Sequence, residues 1–597
     1  MTIYNLDAIV IGTGAAGYNA ACRLKEMGIN VAIVTEGVNC GTSRNTGSDK
    51  QTYYKLGLGG DSPDSVRQMA ENLFAGGCVD GDNALCEAAL SVRSFMNLCE
   101  LGVEFPVNRY GEYVGYKTDH DPYARATSAG PLTSKFMTEA LQKKAKQLEI
   151  KIYNDYLAIE ILKNEGAVCG LLCINMCDGS PIAFKCGNVV MATGGPAGIY
   201  ADSVYPECHT GTTSLALLAG AKAQNLTMWQ YGLASVSPRW NVSGTYMQVL
   251  PRFVSVDKDG NEYEFLTDYL CDIYTALNLV FLKGYQWPFD PKKAENGSSQ
   301  IDMIVYNECV VKGRKVYLDF TKNPFGLENI DYESLSDEAR DYLVKAEATF
   351  GTPIERLKKM NTPAIELYSS KGVDITKEYL EIALCAQHNN GGIAVDMWWQ
   401  TTVRGLFAAG ECAGTHGISR PGGSALNAGQ VGSLRAAQYI AQNPNPTIVS
   451  KAFNEIAIKS AKAIVKATKS HSDNLDRLIL TAQRRMSDNA AAVRDKAKIK
   501  VALDETVKEL ESLEKTALPS KRERVFLYYK LKDILVTQSA VLTAMLNEDI
   551  SDTSKIQEVY LTDKGFLYKM RDVRPLPDSD DFFENIWRTY RENKNVY

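Results

Sequence analysis

Arg420 stands alone in a run of small side chains, "ECAGTHGISRPGGSALNAGQ" (411–430). A guanidinium is charged at any physiological pH and presents a planar fork to carboxylates and other anions. The glycines and alanines around it let the main chain lie against something large and flat. His388, in "AQHNNGG", can donate a hydrogen bond or titrate near neutrality. A second signature opens the chain in "IGTGAAGYNAACRLKEMGINVAIVTEG" (11–37). Gly12 permits a tight turn, Gly14 lets a pyrophosphate touch the backbone, and Gly17 allows helix and strand to pack closely. The helix starting at Ala15 and Ala16 offers its free amides to phosphate, where the dipole favours negative charge. Glu36, followed by Gly37, lies 24 positions after Gly12 and can accept both hydroxyls of an adenosine ribose. An acid there disfavours a 2′-phosphate and leaves both NAD and FAD open.

The elements that must position these groups are apolar runs. Ala8–Ile11 and Val31–Val34 read as buried parallel strands. "GNVVMATGGPAGIY" (187–200) is a third strand, entering a glycine turn at Ala192, Thr193 and Gly194. "VRGLFAAGECAGTHG" (403–417) is a fourth, ending on Glu411. A nicotinamide dehydrogenase needs only the first nucleotide half-fold plus a catalytic domain. Two further strand ends far downstream suggest a cofactor stretched across the sheet, with Glu411 at a flavin's ribityl hydroxyls. Ser424 is a good N-cap, which starts a helix through Ala425 and Leu426 beside Arg420. The helix amides would then face the pyrimidine edge of a flavin, where charge gathers on reduction.

At 597 residues the chain should form two to four lobes. A net charge of -6 leaves no basic footprint, which argues against nucleic acid as the main partner. No apolar run is long enough to span a membrane, and a strand pattern by Leu6 leaves no room for a signal peptide, so a cytoplasmic location is expected. The 14 cysteines are scattered, with no CxxC and no zinc or iron–sulfur spacing, so no metal is expected and any redox cofactor should be organic. Cys169, Cys173 and Cys177 share one parity on a strand and read as small apolar core side chains.

Together the motifs "IGTGAAG", "ATGGPAGIY", "AQHNNGGIAVD", "GLFAAGECAGTHG" and "SRPGGSALNAG" make the chain resemble the fumarate reductase / succinate dehydrogenase flavoprotein superfamily over about residues 5–445. That superfamily (FAD-dependent oxidoreductase 2) also holds aspartate oxidase, urocanate reductase, 3-ketosteroid dehydrogenases and the large subunit of adenylylsulfate reductase. The resemblance implies an α/β fold. A Rossmann-type, glutathione-reductase-like FAD-binding domain with a parallel sheet (1–232 and 368–445) would carry an inserted α+β capping domain (233–367). A helical C-terminal domain and tail would follow (446–597).

In the family a loop after the second strand covers the flavin. Here it resembles "NCGTSRNTGSDKQTYYK" (39–55), which puts Thr42, Ser43 and Gly47 near the ring. Members that bind FAD covalently use a histidine in this loop; none is present, so non-covalent FAD is implied. Ala158 completes the expected cofactor contacts. Arg420 and His388 match groups that hold a dicarboxylate over the flavin. Other positions depart from the family. Ile301, before Asp302, stands where the proton-donating arginine would be. Gly232 replaces a histidine, "YMQ" (246–248) a threonine–glutamate pair, and Thr212 the acid of a "TGD". Proton delivery is worth orders of magnitude in rate, so these losses count against fumarate reduction.

"MWQYGLASVSPRWNVSGTYMQVLPRF" (228–253) supplies new candidates where the flavin should be roofed: Trp229, Tyr231, Arg239, Trp240 and Arg252. Tyr231 could serve as acid or base if an arginine lowered its pKa, and Arg239 could add an anion contact. Aromatic walls suit a ring-bearing or larger substrate. "QWPFDPKKAENGSSQ" (286–300) reads as a loop and "AQNPNPT" (441–447) as a linker. Residues 449–470 and 496–546 have helical spacing, and the aromatic tail after Arg574 should pack back on the body. The expected function is an FAD-dependent oxidoreductase that moves hydride between flavin N5 and a carbon of a small anionic substrate other than fumarate. It would reduce an activated C=C bond or run the reverse dehydrogenation, with Tyr231 or Arg239 as proton relay and an external electron donor or acceptor. The alternatives are an adenylylsulfate-reductase-like flavoprotein fed by an iron–sulfur partner protein, and a non-catalytic flavin-binding subunit.

Overall fold

The four apolar runs named above all enter one sheet. In the computed structural model, which describes residues 1–49, 51–60, 63–118, 120–207, 209–443, 445, 449–466 and 474–579, this sheet has five parallel strands. Their order is Leu406–Ala408, Asn188–Met191, Ala8–Ile11, Val31–Val34 and Lys151–Tyr153. Every residue of Ala8–Ile11, Val31–Val34 and Asn188–Met191 is buried, as expected of strands covered on both faces. Each fully buried valine or isoleucine contributes roughly 1.5–3 kcal/mol. The helices Ala15–Glu26 and Ser424–Gln442 pack on one another. Small residues permit the contact: Ser433 Oγ donates to the Ala16 carbonyl (2.8 Å) and Gln430 Nε2 to that of Ala15 (3.3 Å). A Cβ on Gly432 would lie 2.5 Å from the Trp399 indole nitrogen.

A second sheet, six-stranded, carries the cap. Its order is Trp240–Asn241, Trp229–Ser235, Leu380–Asn389, Lys315–Asp319, Arg252–Val256 and Glu262–Tyr263, with every neighbouring pair antiparallel. Two of its strands, Trp229–Ser235 and Leu380–Asn389, reach outside the expected 233–367 span. The cap sheet is therefore continuous with chain on both sides of those cuts.

The C-terminal region differs from the helical expectation in one respect. Beyond the helices Ser450–Lys462, Leu475–Asn489, Lys496–Thr516 and Val525–Leu546 comes a β-hairpin, Lys555–Thr562 with Gly565–Asp572. It pairs with Ala223–Gln224 and so extends a sheet of the main body. Arg574 and Leu576 then pack against the start of the helix Gly81–Ala89. The Gly81 amide donates to the Arg574 carbonyl (2.7 Å), and Arg574 Nε donates to Asp82 (2.8 Å). The aromatic part of the tail, His471, Lys50 and residues 444, 446 and 447 of the expected linker lie outside the described residues, and 441–442 end the helix Ser424–Gln442. Cys169 and Cys173 are buried on the strand Ala167–Asn175, whereas Cys177 lies past its end, exposed, and is not a core residue. No helix among the described residues is long and apolar enough to cross a membrane.

Candidate active site

The parallel strands end on a cavity of about 1310 Å³, larger than the roughly 300–1,000 Å³ of ordinary ligand clefts. Its floor is the glycine loop. Gly12 has φ 106° and a Cβ there would meet the Ala192 carbonyl oxygen at 2.4 Å. Gly14 caps the helix Ala15–Glu26 without a side-chain cap, so the first amides stay available; the Ala15 amide reaches Ser43 Oγ at 3.4 Å. Gly12, Gly14, Ala15, Ala16, Glu36, Gly37, Thr42, Ser43, Gly47, Ala158, Ala192, Thr193 and Gly194 all line the cavity. Gly17 does not. Its place is behind the loop, where an added Cβ would lie 2.1 Å from the Gly12 carbonyl oxygen, the close packing expected of it. At Gly47 a side chain would strike the Trp240 ring at 2.4 Å.

Two features of this end lie beyond local reading. Glu36 already has a cation, Lys530 Nζ at 2.6 Å, brought by the helix Val525–Leu546. His209 reaches the 39–55 loop from far downstream. Its Nδ1 is 3.2 Å from Thr42 Oγ1 and its Nε2 3.1 Å from the Gly195 carbonyl oxygen. Burial lowers its pKa to about 4.

The far end holds Arg420, His388, Glu411, Ala425 and Leu426, all lining the cavity. The helix here starts at Ser424, but the N-cap is Gly423, with φ 90°. Ser424 is the first helical residue, turned inward and buried, with no partner for its hydroxyl; it neither caps nor lines the cavity. Preference for serine at N-caps is weaker than the demand of this turn for a left-handed residue. The glycines also make room for protein. A Cβ on Gly422 would lie 2.9 Å from that of Thr118, and one on Gly423 would meet Thr52.

Arg420 is half-buried. Its Nε donates to Asn390 Oδ1 (3.1 Å) and its Nη2 to Gln230 Oε1 (2.8 Å). Both partners are neutral, and among the described residues no carboxylate lies within ion-pair distance. Asn390 Oδ1 also accepts from His388 Nδ1 (3.0 Å), which leaves His388 Nε2 as a bare lone pair with no hydrogen-bond partner. Burial, then the Arg420 charge, then His416 hold His388 well below its ordinary pKa, so it is neutral. Glu411 lies 3.9 Å from that nitrogen. Its carboxylate takes the Asn389 amide (3.1 Å) and the Tyr205 hydroxyl, and burial pushes its pKa up to about 8. Glu411, expected at the ribityl hydroxyls, lines the cavity as a carboxyl that protein donors also hold.

Tyr231 lines the cavity, with its hydroxyl 3.2 Å from that of Tyr200, which in turn donates to the Ala490 carbonyl (2.8 Å). An arginine does stand beside it, but it is Arg494 from the C-terminal lobe. Burial outweighs that charge and holds the phenol above its ordinary pKa, the reverse of the expected lowering. Arg239 is not at the site. Its guanidinium bonds the carbonyls of Tyr205 (2.7 Å) and Ala201 (3.3 Å), and it does not line the cavity. Trp240 is buried against Gly47, and Arg252 pairs with Glu264 and with Asp319 (3.2 Å) within the cap.

Sequence reasoning missed Arg494, Glu548, Trp287 and Phe289, all of which line the cavity. Arg494 Nη1 pairs with Glu548 (2.7 Å) and Nη2 donates to the Thr227 carbonyl (2.8 Å). The signal was present: "NAAAVRD" (489–495) sets a lone arginine among small residues, just as "GISRPGG" does. Ile301, where the family's arginine would stand, is fully buried in the core.

The glycine cradle, the acid-ended strands and the excess volume fit a long dinucleotide with room for a second molecule. A family model described as an FAD binding domain matches residues 7–426. The chain belongs to this family of FAD-binding flavoproteins. Among curated relatives it is 25% identical over 452 residues to a subunit of the fumarate reductase (CoM/CoB) of Methanothermobacter marburgensis, covering 74% of this chain and 73% of that one. It is 23% identical over 435 residues to L-aspartate oxidase 2 of Ralstonia nicotianae, covering 70% and 69%. Its fold matches Mycobacterium smegmatis Sdh1 with a TM-score of 0.74 at 20% identity, across 99% of this chain and 98% of that one. The flavoprotein is an FAD-dependent oxidoreductase of the fumarate reductase/aspartate oxidase family.

Proposed function

We propose that this flavoprotein exchanges a hydride with a carbon of an anionic organic acid other than fumarate, reducing an activated C=C bond or running the reverse dehydrogenation. When bound, FAD supplies the hydride chemistry. Arg420 carries the reading: among the described residues its hydrogen-bond partners are neutral, and Glu411, whose charge would favour it, is pushed up to about 8 by burial, so the guanidinium facing the cavity calls for an anion. Asn390 and Gln230 fix its fork, so the bound carboxylate is oriented. His388 Nε2, neutral and unpartnered, accepts a hydrogen bond from substrate. Tyr231, kept protonated by burial, is the proton donor, and Arg494 beside it stabilises the phenolate left behind. The buried Ile301 and the glycine at 232 support a substrate other than fumarate, because neither can deliver a proton. An external electron donor or acceptor completes the cycle.

The test is anaerobic photoreduction of the purified protein followed by screening of enoates, keto-steroids, aromatic acids and sulfur anions for reoxidation. An anionic enoate should reoxidise wild type quickly and Tyr231→Phe slowly, with binding unchanged. Equal rates in the two proteins would remove Tyr231 from the mechanism. We further propose that FAD is held non-covalently, because both nitrogens of His209, which contacts the 39–55 loop, already have protein partners. Acid precipitation should leave the yellow colour in the supernatant; a yellow pellet would show a covalent bond.

A further inference from the structure

A tryptophan occupies the space above Gly232. A Cβ at 232 would lie 2.7 Å from Trp287 Cζ2 and 2.8 Å from Cε2, so only glycine fits beneath this indole. The ring is fixed from several sides. Its Nε1 donates to the Leu233 carbonyl at 3.1 Å. Its own carbonyl accepts from Lys283 Nζ (2.7 Å), as does that of Gln286 (3.1 Å). Lys283 is fully buried and pairs with Asp302, equally buried, at 2.7 Å. Asp302 follows Ile301, so the segment that departs from the family's arginine serves here to anchor the loop bearing Trp287. The same loop is tied again by Phe289, whose amide donates to the Tyr231 carbonyl (2.8 Å).

Trp287 and Phe289 face the cavity together with Trp229 and Tyr231. The Trp229 indole N–H is buried and has no acceptor among the described residues. Gln230, between Trp229 and Tyr231 on the strand, is the residue that holds Arg420. The aromatic side chains and the guanidinium thus line one cavity, joined through Gln230, the strand neighbour of Trp229 and Tyr231. Other cations deep at this end are cancelled, Lys283 by Asp302 and Arg494 by Glu548. Lys292 and Lys293 sit on the outer part of the loop, where they attract anions in general.

We infer that the substrate is a planar aryl carboxylate, its carboxylate on Arg420 and its ring in the corner made by Trp229, Trp287 and Phe289. This rests on the anionic-substrate reading above and narrows it to one chemical class. Indole and phenyl walls favour an aromatic ring by offset or edge contact beyond the area buried, and the cations nearest to Trp287 in the chain that line the cavity, Lys292 and Lys293, sit on the outer part of its loop.

Full-length protein is titrated with trans-cinnamate, trans-2-hexenoate and fumarate, read by quenching of tryptophan fluorescence, with FAD content followed separately by visible absorbance. Cinnamate should bind about three- to tenfold more tightly than hexenoate, and fumarate more weakly than either. Trp287→Ala should erase the cinnamate preference while hexenoate affinity holds, and Trp287→Phe should restore most of it. Fumarate binding as tightly as cinnamate, or an unchanged preference in Trp287→Ala, would overturn the inference. If Trp287→Ala does not fold, the wild-type ligand series decides alone. A colourless protein that refuses FAD sinks the flavoprotein reading instead, and the fluorescence series still reports on the ring site.

Discussion

Arg420 and Arg494 approach one cavity from different lobes, and each sits in a run of small residues that lets its main chain come close. Their charges are handled in opposite ways. Among the described residues Arg420 bonds the neutral oxygens of Asn390 and Gln230 and has no carboxylate within ion-pair distance, whereas Arg494 pairs with Glu548 at 2.7 Å. A lone arginine among small residues thus announces close approach, while the work of its charge is settled by whether a distant carboxylate arrives. On the proposed function, Arg420 would attract an anion from solution, and Arg494 would stabilise a transient negative charge on its neighbour Tyr231.

The sharpest way to break this contrast is Arg420→Met. It should raise the dissociation constant of an anionic acid by about thirtyfold or more, corresponding to the roughly 2–5 kcal/mol cost of truncating one partner of a desolvated charge pair. FAD content should not change. Wild-type affinity in the variant, measured by the same fluorescence titration, would mean that the two arginines do not differ as described. Glu548→Gln should move Arg494 toward the condition of Arg420. We expect a loss of roughly 1–3 kcal/mol in stability from the uncompensated guanidinium, read as a lowered thermal midpoint that added chloride or sulfate partly restores.

A milder effect separates buried carboxyls from paired ones. Glu87 and Glu411 are both pushed up to about 8 by burial. A folded pKa above the unfolded value means that the folded state binds the extra proton. The associated stability is complete below the unfolded pKa and falls as pH rises toward 8, by at most about 1.4 kcal/mol per pH unit for each group. Glu87 is away from the cavity wall, so Glu87→Gln should remove one proton's share of that slope. Thermal midpoints at pH 5 and pH 8.5 should show the variant gaining on wild type at the higher value; a constant difference would place Glu87 in contact with water. The smallest effect is expected from Lys530→Ala, about 1 kcal/mol or less in stability, since the Glu36 pair is partly exposed. An equilibrium melt is sensitive enough to detect a larger loss, which would show that the pair braces the lobe.

The glycine loop, the four buried strands and the helix after Arg420 were legible because each obeys a rule only a few residues long. Tight turns need glycine, buried strands need continuous apolar runs, and phosphate seeks helix amides. Ser424 was misread for an equally local reason: the turn needed a positive φ, and Gly423 supplied it one residue earlier. The rest depends on which segments meet. Nothing in "SPRW" says that Arg239 turns toward the carbonyls of Tyr205 and Ala201 rather than toward the cavity. Nothing in the spacing of Lys283 and Asp302 says that they meet in the core and hold Trp287. Arg494 shared the Arg420 pattern, but it stands beside Tyr231, more than two hundred and fifty residues earlier in the chain, which no local pattern announces.

The cavity takes Arg494, Glu548 and Ile550 from the last fifth of the sequence, and Lys530 reaches Glu36 from the same region. A ribosome making this protein has therefore delivered the first parallel strands long before it releases the residues that finish the chamber. Because emerging domains fold from the amino terminus onward, a growing chain presents the glycine loop while Glu36 still lacks its lysine and one wall is missing. Any binding that needs the finished wall must therefore wait until residue 550 has emerged, and a chain cut before Lys530 would lack both that wall and the partner of Glu36.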